Sequence, residues 1–116
     1  MQVHLVTDNH IHGGEHLNAE ITSSVEAALD RFSPQLTRVE VHLADENGQK
    51  SGEGDKRCTI EARLAGLPPL AAHNNAETLS QAVDGALEKL VAQLDHKLGK
   101  LGERKGRASM GDEIAD

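Results

Sequence analysis

Hydrophobic residues recur along this chain in two rhythms, and each change of rhythm marks an element. Val3 and Leu5 alternate with Gln2 and His4, the period of a short strand. After Gly13 and Gly14, the residues Leu17, Ile21, Val25, Ala28, Leu29 and Phe32 recur at spacings of three and four. That spacing predicts a helix of about five turns with one apolar face, stopped by Pro34. Val39, Val41 and Leu43 then alternate with Arg38, Glu40 and His42. Cys58, Ile60, Ala62 and Leu64 alternate with Arg57, Thr59, Glu61 and Arg63. Both runs read as strands with one buried and one wet face. The segment between them, residues 47–55 (NGQKSGEGD), holds three Gly and no apolar residue, so it reads as the loop of an antiparallel hairpin. A register with Glu40 opposite Arg63 and His42 opposite Glu61 keeps both apolar sets on one side and pairs opposite charges.

Pro68 and Pro69 precede a short fourth strand over residues 70–73, expected at a sheet edge. Asn75 is placed as the N-cap of a second helix over residues 76–101, with Glu77 in its first turn. Leu79, Val83, Ala86, Leu87, Leu90, Val91, Leu94, Leu98 and Leu101 form the apolar stripe of that helix. The order is therefore β-α-β-β-β-α. The simplest way to cover half-apolar strands with striped helices is an α+β, two-layer sandwich. It has a four-stranded sheet, both helices on one face, and a polar face left open. Residues 1–101 form one domain, and residues 102–116, polar with little to bury, read as a disordered C-terminal tail.

Composition narrows the core. Ile, Leu, Val and Phe together number 26, and Phe32 is the one aromatic, so the core has to be aliphatic. A single aromatic also excludes a base-stacking platform of the kind that grips single-stranded nucleic acid. No apolar run reaches membrane-spanning length and no secretory leader opens the chain. Cys58 stands alone, so no internal disulfide forms, and a reducing, cytoplasmic location is expected without a membrane partner.

The net charge of −7 argues at first against binding phosphates. It is an average over unlike parts. Residues 1–88 carry 6 Lys or Arg against 14 Asp or Glu, whereas residues 89–107 carry 6 against 2. The second helix thus ends in a local excess of +4 on an acidic body. Two readings of that end stay open: basic residues offsetting the helix dipole, or a phosphate-facing patch built from Lys89, Lys97, Lys100, Arg104, Lys105 and Arg107. The open sheet face offers His4, Arg38, His42, Arg57 and Arg63, with Glu40 and Glu61 among them. It reads either as a solvated face or as a second surface for RNA or protein.

Catalytic chemistry finds no foothold. There is no nucleophile elbow, no phosphate-cradling loop ahead of a helix and no HExxH pair. His10, His12 and His16 cluster beside Glu15, but their spacing matches no zinc pattern. No enzyme activity, no cofactor, no metal and no small-molecule substrate are expected.

Two segments, residues 37–48 (TRVEVHLADENG) and 55–101 (DKRCTIEARLAGLPPLAAHNNAETLSQAVDGALEKLVAQLDHKLGKL), together with the opening MQVHLVTDN, resemble the ribosome hibernation-promoting factor family, also called the ribosome-associated inhibitor or sigma-54 modulation protein family. AVDGALEKL in the second helix is the most specific stretch. The resemblance implies a fold like a double-stranded-RNA-binding domain. It also implies a protein that sits on the small ribosomal subunit and sterically blocks the messenger and transfer RNA sites. Basic side chains on the helices contact ribosomal RNA in that family, which by position implicates Lys89 and Lys100, with Lys97 and Arg104 nearby. Arg38, Arg57 and Arg63 are the sheet-face candidates. The first helix departs from the pattern: Glu15, Glu20, Glu26 and Asp30 face only Arg31. An alternative therefore stands, a protein-interaction module that keeps the fold without the RNA contact, with self-association through the open sheet face as one form of it.

Overall fold

The computed structural model of the chain describes residues 1–8, 14–45 and 56–106, with side chains as far as residue 99. In chain order the elements are β1 (Gln2–Thr7), α1 (Gly14–Leu29), a 3₁₀ turn (Asp30–Phe32), β2 (Leu36–Asp45), β3 (Lys56–Leu64), β4 (Leu70–Ala76) and α2 (Leu79–Gly106). The sheet has four strands in the order β1-β2-β3-β4. β1 runs parallel to β2, joined through α1 as a parallel pair requires. The β2–β3 and β3–β4 pairs are antiparallel. This is the α+β sandwich expected, with β4 at an edge.

One aliphatic core lies between the layers. Val39, Val41, Ile60, Cys58 and Ala62 of the inner strands are fully buried against Val25 and Leu29 of α1 and Ala82, Ala86, Leu90 and Leu94 of α2. Phe32 is buried at the end of the first helical segment. The chain leaves β3 through a turn in which Gly66 has φ +75°, a left-handed conformation that a side chain would disfavour.

Three local expectations are corrected. The hairpin register is shifted by two residues: Arg38 faces Arg63, Glu40 faces Glu61 and His42 faces Thr59. A two-residue slip keeps every side chain on its own face, so alternation cannot choose between the registers. Core pairing of Val39 with Ala62, Val41 with Ile60 and Leu43 with Cys58 sets the observed one, with an irregularity between Leu36 and Arg38. Like charges across the hairpin are offset along each strand. Arg38 pairs with Glu40 at 2.8 Å, and Arg63 with Glu61 at 3.6 Å.

Second, β4 continues to Ala76, so Asn75 is a strand residue and not a helix cap. The cap is Thr78, whose Oγ1 accepts from Gln81 N at 3.1 Å. Third, α2 runs on to Gly106, past residue 101. The glycine-rich segment expected as the hairpin loop lies outside the described residues, as do His10, His12, Arg107 and the rest of the expected tail.

Candidate nucleic-acid interface

The expected basic residues sit on two layers. Arg38, Arg57 and Arg63 occupy outward positions of β2 and β3, on the open face of the sheet. Lys89, Lys97, Lys100 and Arg104 lie on α2, across the core from that face. Along β3, Arg57 and Arg63 are six residues apart, about 20 Å, so the arginines mark opposite ends of the face. Arg38 sits directly beside Arg63, and Arg57 lies beside Asn75.

The edge of β4 fixes how α2 lies over the sheet. Lys89 Nζ donates to His73 O at 3.0 Å, and Gln93 Nε2 donates to Ala71 O at 2.9 Å. Four residues of helix advance about 6 Å and two residues of strand about 6.8 Å, so the two contacts march in step. Continuing that step carries Lys97 level with the end of the sheet where Arg38 and Arg63 sit. The backbone bearing Lys100 and Arg104 runs beyond it. One end of the molecule therefore gathers Arg38, Arg63 and the basic turns of α2, while Arg57 stands at the other end.

Lys89 has a second task that its charge alone did not announce. Its Nζ also reaches Asn74 Oδ1 at 3.3 Å, and Asn74 Nδ2 donates to Gln81 O at 3.3 Å. Gly85 leaves room for that carboxamide. These contacts satisfy carbonyls on an otherwise open strand edge. AVDGALEKL is thus first a packing motif: Ala82, Val83, Ala86, Leu87 and Leu90 fill the core, and Gly85 and Lys89 hold β4. Asn74 and Gln93 escaped sequence reading. The signal available was a polar stripe at four-residue steps, Gln81, Gly85, Lys89 and Gln93, flanking the apolar one.

Two further charge networks shape this surface. Arg31 holds Asp95 through two bonds, Nη1 to Oδ1 at 2.7 Å and Nη2 to Oδ2 at 2.9 Å, and its guanidinium lies 4.2 Å from the Phe32 ring centre. The hydrogen bond from Arg31 holds the Asp95 carboxyl below its ordinary range, and the same bond raises Arg31. On the open face, His42 Nε2 lies 3.3 Å from Glu40 Oε1 while Arg38 Nε donates to Oε2 at 3.0 Å. The bond to His42, then that from Arg38, lowers the Glu40 carboxyl. Cys58 faces inward and is fully buried; burial pushes its thiol up to about 12, which makes it inert at neutral pH. Among the described residues no group of three or more His, Cys, Asp or Glu could hold a metal ion, and His16 lies 3.6 Å from Glu20. No described helix is long and apolar enough to cross a membrane.

Comparison with known proteins gives this architecture a context. The family model described as sigma 54 modulation protein / S30EA ribosomal protein matches residues 5–102. No curated protein sequence matches the chain. Among solved structures, the fold is similar to the Thermus thermophilus Protein Y N-terminal domain, at 20% identity and TM-score 0.65, covering 83% of this chain and 98% of that one. It is also similar to a ribosomal subunit interface protein from Coxiella burnetii, at 15% identity and TM-score 0.66, covering 85% and 99% of the respective chains.

Proposed function

The chain belongs to the sigma 54 modulation protein / S30EA ribosomal protein family, a family of ribosome-associated factors, and from that premise we propose that it is a hibernation-type factor that binds the small ribosomal subunit and blocks the messenger and transfer RNA sites. The observation that carries the reading is the match of the family model over residues 5–102, essentially the whole folded part. The action is steric and non-enzymatic, in the cytoplasm. The basic end, Arg38 and Arg63 on the sheet with Lys97, Lys100 and Arg104 on α2, faces ribosomal RNA phosphates. Lys89 contributes there only as far as its bonds to His73 and Asn74 leave it free to turn. Electrostatic contact of this kind weakens steeply as salt rises.

A competition experiment tests the steric step. Purified protein is titrated onto small subunits carrying labelled messenger and initiator transfer RNA. Loss of both labels in proportion to bound protein is expected. Protein bound with both labels retained would overturn the blocking mechanism. The alternative, an interaction module without RNA contact, is favoured by one observation. The acids Glu15, Glu20, Glu26 and Asp30 lie on the first helical segment, and its one arginine is already committed to Asp95. It predicts no subunit binding at all.

A further inference from the structure

The two helices do not close on each other along their outer faces. A cleft of about 470 Å³ opens between them near Leu17, Ser24, Leu79 and Asp84. A second, of about 680 Å³, opens near Ser24, Ala27, Asp84, Leu87 and Val91. Both are lined by Ser24 and Asp84, so they are one continuous groove. From Leu79 to Val91 on α2 it extends about 18 Å, three turns of helix. Its floor is aliphatic, and its α1 wall is small toward the C-terminal end of that helix, where Ser23, Ser24, Ala27 and Ala28 line it. Its rim carries the carboxylates Glu20, Asp84 and Glu88, with His16 3.6 Å from Glu20, and no Lys or Arg lines it. Among the described residues neither Asp84 nor Glu88 has an ion-pair partner, and Arg31, just past the end of α1, is paired with Asp95.

We propose that this groove receives a basic amphipathic helical segment of another protein. A groove between two helices accepts a third by ridge-into-groove packing, and small residues on one wall let it approach closely. The length admits about three turns, enough for aliphatic anchors at positions i, i+4 and i+7. The unpaired carboxylates Asp84 and Glu88, with Glu20 beyond them, reject nucleic acid and anionic lipid, and they favour Lys or Arg flanking the anchors. The groove lies on the helical layer, away from the open sheet face. On α2 its lining ends at Val91, short of Lys97, so a partner helix in it leaves the basic end uncovered. The inference stands without the ribosome reading, since it uses none of the proposed RNA contacts.

The probe is a labelled fourteen-residue Leu/Lys peptide with helical amphipathic spacing, read by fluorescence anisotropy on the full chain. Controls are the same composition scrambled out of register and a Leu/Glu counterpart. Binding of the amphipathic Lys peptide alone is expected, with amide shifts in NMR spectra at Ser24, Ala27, Leu87 and Val91. Asp84→Lys with Glu88→Lys should weaken it at least tenfold, and Ala27→Trp should do so by filling the groove without altering charge. Glu26→Lys, outside the lining, should leave it within twofold. Equal binding of the scrambled peptide, or shifts confined to the sheet face, would overturn the proposal. So would a concentration-dependent oligomer that the Asp84→Lys, Glu88→Lys variant abolishes, which would make a second copy the occupant.

Discussion

Replacing Gly85 by alanine separates the packing role of α2 from simple helix propensity. In an open helix interior Gly→Ala gains about 1 kcal/mol. Here a β-carbon would land on the Asn74 side chain, 2.5 Å from Cγ and closer still to Nδ2. Asn74 has to swing away, giving up its bond to Gln81 O and the one it accepts from Lys89. Two partly solvated hydrogen bonds of this kind are together worth about 1–2 kcal/mol. Gly85→Ala should therefore leave the protein unchanged or destabilise it by about 1 kcal/mol. In an Asn74→Ala background the obstacle is gone, and the same substitution should stabilise by about 1 kcal/mol. Urea unfolding followed by circular dichroism, run on all four members of the cycle, reads the difference as a coupling of about 1–2 kcal/mol. A gain of similar size in both backgrounds would refute the reasoning and mean that Asn74 does not occupy the space over Gly85.

Leu94→Ala removes a fully buried core side chain of α2 and should cost about 2–5 kcal/mol, measured as a shift in urea midpoint without change in slope. Glu40 has a folded pKa below its unfolded one, so its contribution to stability is present above the unfolded value and lost as pH falls through the folded value. The stability difference between wild type and Glu40→Gln should thus shrink on acidification below the ordinary glutamate range; a difference independent of pH would count against the His42 and Arg38 contacts. Cys58, buried with its thiol pushed up to about 12, should resist a disulfide reagent at pH 8 in the native protein and react at once in urea; fast native labelling would contradict its burial.

Strand alternation and helical spacing were enough to read the six main elements and the face each one buries, because burial of one face is what the pattern records. The errors fall where burial is indifferent. A hairpin slipped by two residues buries the same side chains, and cross-strand charge pairing favours a register that the core does not adopt. The observed Arg38 and Glu40 satisfy each other along one strand instead. Asn75 and Thr78 are both good caps, and pairing of β4 as far as Ala76 decides between them. Thr78 with Gln81 three residues on was a legible capping signal. Membership of the family was legible in AVDGALEKL, but the work of Gly85 and Lys89 was not, since it depends on Asn74 arriving from another element. The gathering of Arg38, Arg63 and Lys97 toward one end, like the groove between the helices, exists only once the layers are assembled.

The central claim, contact with the small subunit through the basic end, meets its most direct test in pelleting with isolated ribosomal subunits. The account predicts that the protein sediments with small subunits at low salt and is released as salt rises. A Lys97→Glu, Lys100→Glu variant should remain in the supernatant. Wild-type protein left in the supernatant at low salt, or a charge-reversed variant that pellets as well as wild type, would contradict it.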